Sequence, residues 1–425
     1  MTNNWPTTTV GTLFDIGAGK SVTPAARHGS RNHPFLRTAN ILWGRVDLTE
    51  VDSMHFSDDE IATKSLQKGD LLVCEGGDIG RSAIWNGELP SCSFQNHLHR
   101  LRPKSADVLP RFFMYYLQAG FTQLGIYEGA GNKTTIPNLS RNRLAALEVP
   151  KLPRLEQEKI AAVLWKVQRG IEAQETLLMI ARELKRSAMR QLFTRGLRGE
   201  PQKETEIGPI PQSWNIRPLR ELREFLQYGT SAKCDYESKG RPVLRIPNVA
   251  AGSISTKDLK WCELTDREVA SIELETGDVL FVRTNAVRER VGRTAVYHGD
   301  PPAALFASYL IRARLKLQEL VPEFLQYFSM SHSGVAQLSG RSSPAADGKF
   351  NINMNRIDSV LVPLPLPDEQ NDIIAILDMI NRKISLHERK RSALQELFKT
   401  LLNRLMTGEL RVDDLDIDVA EVAAA

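Results

Sequence analysis

Cysteine is scarce in this chain. There are four in 425 residues, at Cys74, Cys92, Cys234 and Cys262, and none forms a Cys-x-x-Cys pair. That excludes a disulfide-stapled framework and a thiolate zinc site of ordinary spacing, and it fits the reduced thiols of an intracellular protein. No apolar run approaches the roughly 18 residues of a membrane-spanning helix. No signal peptide is read at the start, so a cytoplasmic protein is expected. A strong charge of one sign is also missing, the net charge being +4. Several of the acids sit together in the tail, at Asp413, Asp414, Asp416 and Asp418, so the body is more basic than the total implies. This is a mild pointer to an anionic partner. The remaining composition, 42% hydrophobic and 25% charged, is that of an ordinary globular protein long enough for two or three domains.

Catalytic signatures are equally thin. Gly19-Lys20-Ser21 resembles the end of a phosphate-binding loop, but Phe14 stands where that loop needs its first glycine. Asp300-Pro301-Pro302-Ala303 lacks the aromatic that an adenine methyltransferase stacks on its flipped base. Glu237-Ser238-Lys239 has the spacing of a metal-dependent nuclease without the acidic partner upstream, and His97-x-His99 has no third ligand nearby. No Ser/His/Asp set stands out. The reading is of a chain with no catalytic residues, no metal site and no cofactor of its own.

What is present is a repeat. Val149-Pro150, Glu156-Gln157, Ile160, Leu164, Ile171, Glu183-Leu184 and Leu192 recur as Val362-Pro363, Glu369-Gln370, Ile373, Leu377, Ile384, Glu396-Leu397 and Leu405, each displaced by 213, as from Gln157 to Gln370. The displacement is half the chain, far longer than the roughly 20–50 residues of a solenoid unit. Upstream, Leu36-Arg37, Asn40 and Gly69-Asp70 match Leu244-Arg245, Asn248 and Gly277-Asp278 at 208. Gly80-Arg81, Phe94, Leu98, Arg100 and Arg102 match Gly292-Arg293, Phe306, Leu310, Arg312 and Arg314 at 212, so the second copy carries an insertion around residues 285–290. The scaffold repeats, whereas residues 21–32, 76–78 and 129–138 do not resemble their counterparts. One fold twice over, with different loops, points to one task performed on two targets.

Each half opens on an aromatic anchor, Trp5 or Trp214, and continues in short β-type runs punctuated by Gly, Asp and Asn. Runs are expected at residues 70–74, 83–85 and 98–101, then at 278–282, 294–297 and 309–315, with short helices at 111–118 and 323–330. Proline-rich hinges, Val149-Pro-Lys-Leu-Pro153 and Val362-Pro-Leu-Pro-Leu-Pro367, stop each domain because proline fixes φ and lacks a donor. A long helix follows each hinge. Residues 155–194 contain no proline and only Gly170, and residues 369–407 contain neither proline nor glycine. Apolar residues alternate at three and four, the spacing of a coiled coil. The expected seam is Ile160, Leu164, Ile171, Gln174 and Leu178 against Ile373, Leu377, Ile384, His387, Leu394 and Leu401. Lys185 and Arg391 interrupt it, either as register-setting polar layers or as side chains snorkelling outward. The expected divisions are a first domain at 1–152, a helix at 153–199, an exposed linker at 200–213, a second domain at 214–366, a helix at 367–410 and a flexible acidic tail at 411–425. The fold class is α+β: two similar mixed α/β domains separated by two long antiparallel coiled-coil helices, as a pseudo-two-fold internal repeat.

Two variable domains, each closed by a Pro-rich hinge, a Glu-Gln pair and a long helix, resemble the specificity subunit of type I restriction–modification systems. The motif stands here as Val149-Pro-Lys-Leu-Pro-Arg-Leu-Glu-Gln157 and Val362-Pro-Leu-Pro-Leu-Pro-Asp-Glu-Gln370. The likeness covers essentially the whole chain, although Lys151 and Arg154 depart from the usual Pro-rich pattern. It implies a non-catalytic DNA-binding subunit whose two target-recognition domains each read half of a split site in double-stranded DNA. The helices set the spacer. Two methyltransferase subunits and, in a nuclease, restriction subunits are the implied partners, and they would carry S-adenosylmethionine, ATP and Mg. The alternatives are the same role in a modification-only or other multisubunit methyltransferase, a self-contained DNA methyltransferase, and a coiled-coil scaffold unrelated to DNA. Base reading is expected from loop residues with hydrogen-bonding side chains. In the first domain these are Lys20, Ser21, Arg27, Arg31, Asn32, Lys133 and Thr134. In the second they are Lys233, Tyr236, Arg241, Arg283, Asn285, Arg288, Arg341 and Lys349. The repeated pair Asn142-Arg143 and Asn355-Arg356 reads as scaffold or phosphate contact.

Overall fold

The computed structural model describes residues 5–29, 32–127, 138–249, 252–345, 348–412 and 419. It divides into two compact units, one formed by Met1–Thr176 with Glu388–Ala425 and the other by Leu177–His387. Both divisions fall in mid-helix. The first long helix is Arg154–Arg195 and the second is Pro367–Met406.

The first unit is built on an antiparallel four-stranded sheet in the order Phe14–Ala18, Leu98–Pro103, Leu71–Cys74, Ser82–Ile84. The sequence Leu71-Leu72-Val73-Cys74 is apolar throughout because both faces of its strand are covered. Leu71 and Val73 enter the core shared with the long helices, and Leu72 and Cys74 enter a second core with Trp85 and Phe94. A three-stranded sheet, with Asn32–Leu36 between Asp52–His55 and Ser93–Phe94, completes the domain. Thr7–Thr9 pairs with Glu148–Pro150 and so closes the domain at the hinge.

The second unit repeats this plan. Its four-stranded sheet runs Arg223–Tyr228, Leu310–Leu315, Val279–Val282, Thr294–Val296, with Val279 and Phe281 facing one core and Leu280 and Val282 another. The three-stranded sheet reappears as Lys260–Cys262, Arg241–Leu244 and Leu305–Phe306, and the closing pair as Asn215–Pro218 with Leu361–Leu364. Even the capping boxes match: Ser57 with Glu60 opens Asp58–Lys64, and Thr265 with Glu268 opens Asp266–Ile272.

The repeated polar residues are internal fasteners. Arg102 donates two hydrogen bonds to buried Asp70, at 2.8 and 2.7 Å, and Arg314 does the same to buried Asp278, at 2.9 and 3.0 Å. The hydrogen bonds it donates to Asp278 raise the pKa of the Arg314 guanidinium above its ordinary range. Asn40 donates to the carbonyls of Asp47 and Glu50 and accepts from Arg37 N, while Asn248 serves Ser255, Lys257 and Arg245 N in the same way. The Glu-Gln motif has a structural meaning too. Gln157 accepts from Leu109 N and donates to the carbonyls of Asp107 and Leu152, each at 2.9 Å. Gln370 accepts from Val321 N and donates to those of Glu319 and Pro365. Each glutamine therefore pins the start of a long helix to its hinge and to the turn before a domain helix.

Within each unit the long helices run in opposite senses. In the first unit Ile160 and Leu164 share a core with Leu402, Leu405 and Met406, and a Cβ on Gly170 would lie 3.4 Å from Leu394. In the second, Met189, Leu192 and Phe193 share a core with Ile373 and Leu377. The start of one helix meets the end of the other in both. Along the second helix Ile373, Leu377, His387 and Leu405 are buried and Ile384, Arg391, Leu394 and Leu401 partly so, while the flanking positions are largely exposed. On the first, Ile160, Leu164 and Leu178 are buried and Ile171, Gln174 and Lys185 partly so.

Two segments differ from expectation. The stretch 200–213 is not a bare linker: Gln202–Lys203 pairs with Ile210–Pro211, and Ile210 is buried in the second unit's core. Pro211 is buried beside it, Ile207 packs against the same core, and Ser333 donates to the Ile207 carbonyl at 2.8 Å. The tail is not wholly free either, because Val412 is buried in the first unit's core and Val419 packs against it. The acidic residues 413–418 lie outside the described residues.

Candidate nucleic-acid interface

The described residues that border the loops that fail to repeat meet at one edge of each domain. At that edge Gly19 passes so close to the neighbouring chain that a Cβ would sit 2.2 Å from the carbonyl oxygen of Gln95. Lys20 N donates to Phe94 O at 3.0 Å, and Asn96 N donates to Lys20 O at 3.0 Å. Gly229 makes the same approach to Phe306 O, at 2.1 Å, with Thr230 N on Phe306 O and Ser308 N on Thr230 O. Gly19-Lys20-Ser21 is thus half of a repeated backbone crossing, which only glycine permits, rather than a phosphate cradle.

A second knot lies alongside. Glu75 N donates to His97 O at 2.9 Å, and Leu139 N to Glu75 O at 2.6 Å. In the second domain Arg283 N donates to Tyr309 O at 3.0 Å, and Ile352 N to Arg283 O at 2.9 Å. The two knots bring together residues 20, 75 and 139, and likewise residues 230, 283 and 352. The sequence insertion near 285–290 appears here as Thr284–Asn285, which pairs with Phe350–Asn351, and as the turn Arg288–Arg290.

The structure sorts the residues expected to read bases. Lys20 turns inward, donating to Glu60 at 2.5 Å and to His55 O at 2.7 Å, with its ammonium 5.0 Å from the centre of the Phe56 ring. That carboxyl is held below the ordinary glutamate range first by the bond to Lys20. Lys20 therefore acts as a fastener. Ser21, Arg27 and Asn32 are exposed. Arg31, Lys133 and Thr134 lie outside the described residues.

In the second domain Arg283, Asn285, Arg288, Arg341 and Lys349 come together. Asn285 pairs with Phe350 and accepts from Val287 N. Arg288 donates to the carbonyls of Ser339 and Gly340 and lies 5.7 Å from the centre of the Phe350 ring. Arg341 and Lys349 are exposed on the segments that flank it. Lys233, Tyr236 and Arg241 form a separate group on the three-stranded sheet. There Tyr236 is 56% exposed, donates to Asp258 and has Lys260 and Arg245 beside its ring at 5.0 and 5.9 Å. An exposed ring flanked by cations suits stacking on a base or lying beside a phosphate. Sequence reasoning missed Lys260 and Arg245, which enter this group only through strand pairing.

The catalytic decoys find ordinary explanations. His99 is buried and bonded to Leu139 O at 2.8 Å, and burial lowers its pKa below the ordinary histidine range. Burial also pushes the thiols of Cys74 and Cys92 up to about 11 and about 12. Among the described residues, no group of three His, Cys, Asp or Glu side chains could hold a metal ion, and no helix is long and apolar enough to cross a membrane.

The family model described as "Type I restriction modification DNA specificity domain" matches twice, over residues 2–179 and 211–396. The EcoKI type I restriction enzyme specificity subunit of Escherichia coli K12 is 25% identical over 429 residues, covering 92% of this chain and 86% of that one. A Methanocaldococcus jannaschii chain named for the specificity subunit of the MjaX type I restriction enzyme is 28% identical over 206 residues, so the match spans about half, 48%, of each chain. Among solved structures, the type I restriction–modification S subunit of M. genitalium superposes with a TM-score of 0.59 at 17% identity, covering 95% of this chain and 96% of that one.

Proposed function

The chain belongs to the family of type I restriction–modification DNA specificity subunits, and from that premise we propose that each of its domains reads one half of a two-part site in double-stranded DNA. One observation carries this reading. The same backbone crossing recurs in both domains, and from each crossing emerge loops that share no sequence. A common frame presents different side chains, as two different half-sites require. The exposed groups on these segments include Ser21, Arg27, Asn32, Lys233, Tyr236, Arg288, Arg341 and Lys349, of the kinds that reach base edges and phosphates.

The chain itself performs no catalysis and takes no cofactor. Two methyltransferase subunits bind it and supply S-adenosylmethionine and the base-flipping pocket. Restriction subunits, where present, supply ATP hydrolysis and Mg-dependent cleavage. The paired long helices set the spacer and dock the methyltransferase subunits. The chain acts in the cytoplasm, beside the DNA it reads. Repeated Asn142-Arg143 and Asn355-Arg356 fall in the frame shared by both domains, so they serve scaffold or phosphate contact rather than discrimination.

Exchange of residues 7–149 for the same segment of a relative tests the division of labour. Mapping of methylated adenines in cells carrying the exchanged chain should reveal one altered half-site and one unchanged. Alteration of both, or of neither, would overturn the proposal.

A further inference from the structure

Backbone hydrogen bonds pair residues of the two domains whose side chains are unlike. Glu75 and Arg283 occupy the same knot: each N–H donates across the edge, to His97 O or Tyr309 O, and each carbonyl accepts from the strand that returns, at Leu139 N or Ile352 N. The frame is constant and the charge is reversed. The neighbours are exchanged as well. His97 in the first domain matches Tyr309 in the second, and Ala18, opposite His99, matches Tyr228, opposite Ile311.

Resting on the DNA-reading role proposed above, we infer that Glu75 and Arg283 are matched specificity-determining residues, Glu75 reading an amino-bearing base and Arg283 reading guanine. A carboxylate on a surface that approaches phosphates is repelled unless it meets a hydrogen-bond donor. In the major groove the only base-edge donors are the exocyclic amino groups of cytosine and adenine. Glu75 is held for that purpose: its side chain is only 18% exposed, and His97 Nδ1 stands 3.7 Å from its carboxylate. Arg283 is fixed in the complementary way. Its guanidinium carbon lies 4.7 Å from the centre of the Tyr228 ring, and Nη1 donates to Ser308 O at 3.2 Å. A guanidinium anchored by one nitrogen and a ring face keeps its remaining fork for O6 and N7 of guanine.

Selection of duplexes from a randomised library by the full chain provides the test. The wild-type chain should yield a two-part consensus with cytosine or adenine at one position of the first half-site and guanine at one position of the second. Glu75→Gln should weaken the preference at the first position by about 5- to 150-fold and leave the second half-site intact. Arg283→Gln should do the reverse, and Glu75→Arg should convert the first position towards guanine. The untouched half-site in each variant reports that the chain is folded and bound. Unchanged consensus in all three variants, or equal loss at both half-sites, would overturn the assignment while leaving the DNA-reading role standing. A wild-type chain that selects no two-part sequence would overturn the role itself and this inference with it.

Discussion

At the scale of single residues, the repeated polar side chains hold the frame. Gln157 and Gln370 make the point. Each makes one bond to a backbone N–H and two to carbonyls, all near 2.9 Å, in a buried setting. Removing such a side chain strands a buried donor and two acceptors at once. Gln157→Ala or Gln370→Ala should therefore destabilise its own unit by about 2–3 kcal/mol, read as a shift in the midpoint of urea unfolding. Equal loss from both units after a single substitution would contradict this account. The Glu-Gln pair was visible in the sequence as a repeat, but its job was not, because its partners lie up to about 50 residues away. Lys20 shows the opposite error. Its neighbours Gly19 and Ser21 suggested a loop that binds something, and only the fold reveals Glu60 and the His55 carbonyl waiting for its ammonium.

At the scale of elements, the long helices carry a polar group where their apolar stripe predicts a core position. Lys185 is partly buried, and burial holds its pKa below the ordinary lysine range. Its charged form is therefore penalised by folding at neutral pH. The penalty persists below the folded pKa and fades as pH climbs from there towards the unfolded value, since the neutral amine is tolerated in the seam. Lys185→Met should raise Tm at pH 7, and its advantage over the parent should shrink as pH approaches 10. Thermal unfolding of both proteins from pH 7 to pH 10 would check it. A constant advantage would mean that packing, not charge, is responsible. The periodicity of these helices was legible residue by residue because a buried stripe must recur at 3.6-residue spacing. The docked hairpin Gln202–Lys203 with Ile210–Pro211 was not, since its polar and Pro-rich composition is that of a linker. It is fixed by the burial of Ile210 and Pro211 and by Ile207 packing against the second unit's core.

At the scale of the whole molecule, the compact units do not follow chain order. The first unit needs Glu388–Ala425, whose Leu402, Leu405, Met406 and Val412 fill the core around Ile160 and Leu164. A chain ending at residue 387 should therefore lose cooperative unfolding of its first unit while keeping that of the second. Added peptide 388–425 should restore it, as followed by near-ultraviolet circular dichroism and by protease resistance of residues 1–176. Retention of the first unit without the peptide would show that its core closes alone. The duplication, the two hinges, the apolar stripes and the points where the loops diverge were fixed by sequence, because each rests on local spacing or on comparison of one half with the other. The tertiary structure alone decided that Gly19 marks a backbone crossing, that Glu75 and Arg283 are each tied into the same hydrogen-bonded knot, and that the end of the second helix belongs to the first unit. Those facts depend on hydrogen bonds and apolar contacts between residues distant in the chain, which leave no periodic trace in the order of amino acids.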